Sequence, residues 1–211
     1  MESTGIQRLF YLSWTTIKLN LFFILFSLAG GILLGVGPAW QTMSDLVQEY
    51  GMDYQQVTFQ KAWQLWKANF KKSNLHFLTF LATFSFVAYN LVLATQMTGW
   101  FWLFVDLLLV FVLILLLTLY FYMVLYTSTY EIAVGDLIKL SFVSIFLNFW
   151  VFIKILFGLI SILILTWQFK GLFLFATFAM IMMWGAYVTR KNRNFIDGKL
   201  GRDEANLQKA F

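Results

Sequence analysis

The chain has 211 residues, of which 61% are hydrophobic and only 12% charged, and it contains no cysteine. Disulfides, thiolate metal sites and cysteine nucleophiles are excluded, and too little polar chain lies outside the apolar runs to form a separate soluble domain. The net charge of +5 sits beside apolar runs, where it reads as membrane orientation and not as nucleic-acid binding.

In chain order, residues 5–18 mix Arg8, Thr15 and Lys18 with Leu9, Phe10, Leu12, Trp14 and Ile17, predicting an interfacial lead-in. The first long apolar run, 19–37, has no small-residue cleavage site after it and reads as a retained span. Ser27, Gly31 and Gly35 recur within it at four-residue spacing. On one continuous helix they share a face that permits close helix approach, toward an internal neighbour or another subunit. Glycines and Pro38 loosen the end of this run, and Pro38 suits the first turn of a new helix. Residues 38–50 are therefore expected to fold back as a short re-entrant or sixth crossing helix, about 20 Å long. Asp45, Gln48 and Glu49 make it unsuited to lipid, so it crosses only if packed against protein.

Residues 57–72 form the most patterned segment outside the spans. Phe59, Ala62, Trp63, Trp66 and Phe70 follow helical apolar spacing, while Lys61, Gln64, Lys67 and Lys71 occupy other faces. Such a helix lies in the headgroup region and serves either as a membrane anchor or as a docking surface for a partner. Phe59, Trp63, Trp66, Phe70, Lys67 and Lys71 are the candidate interface residues.

Four further runs follow: 77–94, 101–126, 149–167 and 172–188. With the first they give five stretches close to the ~20 residues a spanning helix needs. In hydrocarbon the backbone must satisfy its own hydrogen bonds, so these runs are helical. Residues 136–148 are predicted to form a second interfacial helix feeding the fourth run. Trp100, Trp102, Tyr126, Trp150, Trp167 and Trp184 lie near span ends, as aromatic-belt residues do. The expected fold is an all-α polytopic bundle. Residues 1–189 make one transmembrane domain, including the amphipathic 51–73 segment, and 190–211 form a basic tail.

Lys61, Lys67, Lys71, Lys72, Arg190, Lys191, Arg193, Lys199, Arg202 and Lys209 are ten of the fifteen basic residues. The positive-inside rule puts both the 51–73 segment and the tail in the cytoplasm. Five crossings then leave the N-terminus outside despite Arg8 and Lys18, whereas a crossing by 38–50 brings it inside.

Intramembrane ionisable groups, the usual markers of transport pathways, are sparse. Asp106 is expected near the outer interface, and Lys154 can snorkel to the cytoplasmic one. Asn90 and Asn148 read as interhelical hydrogen-bond partners, and His76 as an interfacial polar residue at a span start. No phosphate-binding loop, zinc-helix motif or nucleophile elbow is present. No catalytic residue, cofactor or metal site is expected.

Gly37-Pro38-Ala39, with Phe59, Trp63 and the run Phe70-Lys71-Lys72-Ser73-Asn74-Leu75, resembles the YesL-like family of small bacterial integral membrane proteins. The resemblance is best over the N-terminal half. It implies a role near carbohydrate uptake, because similar proteins are often encoded beside binding-protein-dependent sugar importers. The stretch from Glu131 to Gly135 lacks the full spacing of the ATPase-coupling loop of importer permeases. The later Leu-Pro element of that loop is absent too, Pro38 being the only proline. The expectation is an accessory or regulatory membrane subunit of a bacterial ABC-type carbohydrate importer, with the bilayer, the permease subunits and their ATPase as partners. The alternative is an independent small solute transporter or channel, whose pathway needs several polar side chains converging on one buried cavity.

Overall fold

A computed structural model describes residues 5–51 and 55–199. Among these the chain is helical, with no strand: α1 (Gly5–Ala29), α2 (Leu33–Tyr50), α3 (Phe59–Ala94), α4 (Trp100–Thr129), α5 (Val134–Leu147), α6 (Phe149–Gln168), α7 (Gly171–Phe175) and α8 (Thr177–Lys199). Among the described residues four stretches are long and apolar enough to cross a membrane: Leu9–Ala29, Phe59–Ala94, Trp100–Thr129 and Phe149–Gln168. The expected count of five is not reached among the described residues: one helix break shifts the first run, and another divides the last.

The 19–37 run is divided at Gly30, Gly31 and Ile32. Gly31 and Ile32 take positive φ angles of 72° and 64°, and the Ile32 amide closes the turn on the Ser27 carbonyl at 2.8 Å. The first span therefore begins and ends earlier, and the lead-in at 5–18 is continuous with it as one 25-residue helix. Past the turn α2 runs back along α1, as the Phe23–Trp40 ring contact at 5.6 Å shows. This return helix is longer than the 38–50 segment expected, and it is packed against protein, with Gln41, Thr42 and Ser44 all buried.

The 172–188 run is broken at Ala176, which separates the one-turn α7 from α8. Asn20, fully buried on α1, holds the break open. Its Nδ2 donates to the carbonyls of Phe173 (3.1 Å) and Leu174 (2.7 Å). Its Oδ1 accepts the amides of Phe178 (2.8 Å) and Ala179 (3.2 Å). A helix end leaves carbonyls and amides without intrahelical partners, and in an apolar setting they need protein partners. One asparagine serves both sides of the gap.

Residues 57–72 are not a separate interfacial helix. Thr58 caps α3, its hydroxyl accepting the Lys61 amide at 3.5 Å, and the helix then continues for 36 residues. That is about 54 Å, well beyond a hydrocarbon core of about 30 Å. Its first turns pack on α1: Phe26 is fully buried among Phe59, Trp63 and Trp66, each ring centroid 5.8 Å away.

Ser27, Gly31 and Gly35 do not share one helix face. Ser27 lies in the last turn of α1, Gly31 lies in the turn with open space beside it, and Gly35 sits on α2 so close that a Cβ there would overlap the Ser27 backbone. The small residues still permit close approach, but between two successive helices of this chain.

The helix expected over 136–148 is α5, which stops at Asn148; that side chain caps α6 by accepting the Trp150 amide at 3.2 Å. Asn90 bonds its own helix at the Phe86 carbonyl (2.8 Å). Neither asparagine bridges helices as expected. Tyr122 and Tyr126 on α4 and Tyr130 just after it repeat every four residues, with successive ring centroids 5.6 Å apart, the first pair stacked and the second tilted. The Tyr126 hydroxyl donates to Ser144 Oγ of α5 (2.7 Å), and Asn192 of α8 donates to the Tyr122 hydroxyl (3.2 Å). The boundary drawn at residue 190 thus falls inside α8, whose last turns are part of the packed body. Residues 200–211, with Arg202 and Lys209, lie outside the described residues.

Candidate functional site

The C-terminal ends of α2, α4 and α8 meet around a polar cavity of about 960 Å³, with α3 forming a further wall. Its foundation is a stripe on α2. Gln41, Ser44, Asp45 and Gln48 are three or four residues apart and so project to one side of the helix. Opposite them, α4 ends in Thr127, Ser128 and Thr129.

The stripe and the α4 end are knitted together. Gln41, 2% exposed, places its Nε2 against Ser128 Oγ (2.8 Å), Asp45 Oδ1 (3.0 Å) and the Val124 carbonyl (3.2 Å). Ser128 donates to Ser44 Oγ at 2.8 Å. Gln48 donates to Ser44 Oγ (3.0 Å) and to the Leu125 carbonyl (2.9 Å), and accepts from Thr129 (2.7 Å). Asn69 of α3 donates to the other Asp45 oxygen at 2.5 Å. With donors on both oxygens the carboxylate is held as an acceptor.

The α8 wall is cationic. Arg193 donates to Gln48 Oε1 and, at 2.9 Å, to the Ala186 carbonyl; Arg190 lines the cavity one turn earlier and is exposed. Glu49 lines the α2 side. Its neighbour Tyr50 has a phenol held above its ordinary pKa, first by a hydrogen bond to Glu49, and the Lys61 ammonium sits over the Tyr50 ring at 4.3 Å. The cavity offers hydrogen-bonding groups and charges of both signs.

The candidate interface residues divide. Trp66 is 8% exposed, inside the core, and Trp63 and Phe70 are partly buried against it. Phe59, Lys67 and Lys71 remain exposed. His76, expected at an interface, is buried in mid-α3 with Ser73 and Asn74, and His76 Nε2, Ser73 Oγ and both Asn74 amide atoms have no hydrogen-bond partner among the described residues. Asp106 and Lys154 do not pair with one another; the ion pair found among the described residues is the exposed Lys139–Asp136 contact at 3.2 Å, of little energetic weight.

Asn20, Gln41, Ser44, Ser128 and Asn192 are the residues that sequence reasoning missed. The α2 stripe had a legible signal, four polar residues at helical spacing. Asn20 had only its position inside an apolar run, which does not say what it bonds.

Residues 16–91 match the protein family described as "Protein of unknown function, DUF624". No curated protein and no solved structure matches the chain. The matched stretch ends three residues before α3 does; it holds α2 and Asn69 of the cavity but none of the α4 and α8 walls. The N-terminal part of this chain is thus similar to an uncharacterised family.

Proposed function

We propose that this chain is an accessory or regulatory membrane subunit, associated with an ABC-type carbohydrate importer of the bacterial cytoplasmic membrane. The observation that carries the accessory reading is the segregation of polar groups. Bonded polar side chains and basic ones gather at one end of the bundle. Beyond them the packed interior is mainly apolar, built from Phe26, Met43, Trp66, Leu125 and Met182. Asn20 at the α7–α8 break and Ser73, Asn74 and His76 on α3 are polar groups buried there, and they do not line the cavity. A conducting pathway would need polar groups along the bundle's length; a vestibule at one end suits a contact or a bound ligand.

The importer class rests on the YesL-like resemblance, whose residues 37–39 and 59–75 fall within the matched 16–91 stretch. Orientation rests on charge. The α2 end, the α3 start and the α8 end share one side of the molecule, and ten of the fifteen basic residues lie in 51–73 or after 188. That side is cytoplasmic by the positive-inside rule, and with α2 returning along α1 the N-terminus is also inside. Phe59, Lys67 and Lys71 are the exposed residues offered to a partner there.

The cavity itself favours a second reading, an independent small solute transporter, since polar side chains do converge on it. Purification of the tagged protein from its native membrane in mild detergent separates the two. Recovery of importer permeases or their ATPase is expected, reduced by combined Phe59→Ala, Lys67→Gln and Lys71→Gln. Failure to recover them, with solute transport by the reconstituted protein alone, refutes the accessory reading.

A further inference from the structure

A second concavity of about 450 Å³ lies between α1, α6 and α8. Apart from Thr16 and Ser161 it is apolar, walled by residues such as Leu12, Phe157, Ile162 and Met180. Its depth has a specific origin. Gly158 on α6 has no side chain, so the Trp184 indole lies against the helix backbone and donates to the Lys154 carbonyl at 3.0 Å.

This groove and the polar cavity share two lining residues, Met183 and Tyr187. Both belong to α8, and Met183, Tyr187, Arg190 and Asn194 are spaced by four, three and four residues. That spacing keeps them on one side of the helix. The side runs from thioether and aromatic ring, in the groove, to guanidinium and amide, in the cavity. The acidic residues lie on the far wall: Asp45 is taken by Gln41 and Asn69, and Glu49 stands at the end of α2. The cationic wall is therefore the one that continues into the apolar groove.

We propose that this continuous site binds an anionic phospholipid, with an acyl chain in the α1–α6–α8 groove and the phosphate at Arg190. An apolar channel opening beside a guanidinium matches the two halves of such a molecule. A sugar would leave the groove empty, and a neutral lipid would leave the arginine without its counter-charge. A bound lipid would couple the α8 end, and so the polar cavity, to bilayer composition. The inference rests on the bilayer reading above but not on the importer association. A requirement for detergent to extract the protein tests the first, and lipid selectivity tests this one.

The full chain is reconstituted into nanodiscs of equimolar phosphatidylglycerol and phosphatidylcholine, re-extracted into mild detergent, and its retained lipid counted by mass spectrometry. Phosphatidylglycerol should be retained about fivefold over phosphatidylcholine, the preference one basic residue gives for an anionic lipid. Arg190→Gln should bring the ratio to parity. Ser161→Phe, which fills the groove, should lower retention of phosphatidylglycerol, and Phe157→Ala at the exposed groove edge gives the same test without adding bulk. Equal retention of both lipids by the unaltered protein overturns the proposal. So does loss with Arg190→Gln alone while both groove variants retain lipid, or a thermal shift by inorganic phosphate equal to that by short-chain phosphatidylglycerol; either marks a plain anion site.

Discussion

Helices α3 and α4 are packed at one end and bare at the other, and the two regions use the same residue types. Near α1 and α2, aromatic and aliphatic side chains interlock, and Trp66, Phe121, Val124 and Leu125 are buried. Beyond the Phe80–Tyr120 stack at 4.4 Å the two helices continue as a hairpin turning at Gly99. In the most apolar window of each helix only 6% of residues are buried. Phe86, Leu93, Phe101, Phe104 and Leu107 all face outward. In water such a surface would be a strong association hazard. In a bilayer it meets a solvent as apolar as itself, and burial against protein adds no hydrophobic gain. Composition is shared by the two regions. Stabilisation by side-chain packing belongs to one of them.

The largest test of this difference is Trp66→Ala. It empties a site surrounded by Phe26, Trp63 and Phe70, and large aromatic truncations in packed cores cost about 3–5 kcal/mol. A drop of that order in unfolding free energy in detergent is expected. A change under about 1 kcal/mol would mean the packed end is as loose as the hairpin. Because of this cost, Trp66 is a poor probe of partner docking, which is better tested at Phe59 and the lysines.

Next is Asn20→Leu. The substitution preserves size and polarity is lost, leaving two carbonyls of α7 and two amides of α8 without their partner. Each unsatisfied buried group costs about 1–3 kcal/mol, and relaxation of the break will recover part, so about 2–3 kcal/mol is expected. Hydrogen exchange should rise at Phe178 and Ala179 before it rises elsewhere. Unchanged protection there would show that the break does not depend on α1.

These two sites also mark what the sequence made legible. The apolar runs read directly as helices, and the return of α2 followed from Pro38 and from three polar residues that lipid would not take. The glycines signalled a loosened end to the first run, but neither the position of its break at Ile32 nor the break at Ala176 was readable. Apolar periodicity counts side chains, whereas a helix ends where its backbone groups find other partners, and for Ala176 that partner lies over 150 residues away on α1. For the same reason Ser27, Gly31 and Gly35 carried a true signal of close approach but the wrong geometry. The amphipathic pattern at 57–72 was correct in its faces. Its aromatic side met α1 because a protein face and a lipid face make the same demand on a side chain. Half of the polar cavity was visible as the α2 stripe; its α4 and α8 walls depend on tertiary pairing that one sequence does not disclose.

Gln41→Leu should have a smaller effect than either. It removes the link between Asp45, Ser128 and the Val124 carbonyl, and interhelical hydrogen bonds in membrane proteins average about 0.6 kcal/mol, reaching about 1.7. A loss of about 1 kcal/mol is expected, with Asp45 still held by Asn69. Combining it with Asn69→Ala should exceed the sum of the single effects, since Asp45 would then lose donors on both oxygens. Simple additivity would show that the two amides do not act on one carboxylate.

The smallest effect is the one that decides between packing and solvent as the source of stability in the hairpin. Leu107 on α4 is 63% exposed and Leu46 on α2 is 1% exposed, so the same Leu→Ala change can be made in both regions. At Leu46 the change leaves a cavity lined by Met43 and its neighbours in the packed cluster, and about 2 kcal/mol or more should be lost. At Leu107 lipid or detergent tails replace the missing methyl groups, and the change should stay within about 0.5 kcal/mol. A loss at Leu107 comparable to that at Leu46 would require a protein surface against the hairpin, either a second copy or another subunit. Repeating the measurement at lower protein concentration tells a subunit contact from an intramolecular one, because only the former weakens on dilution.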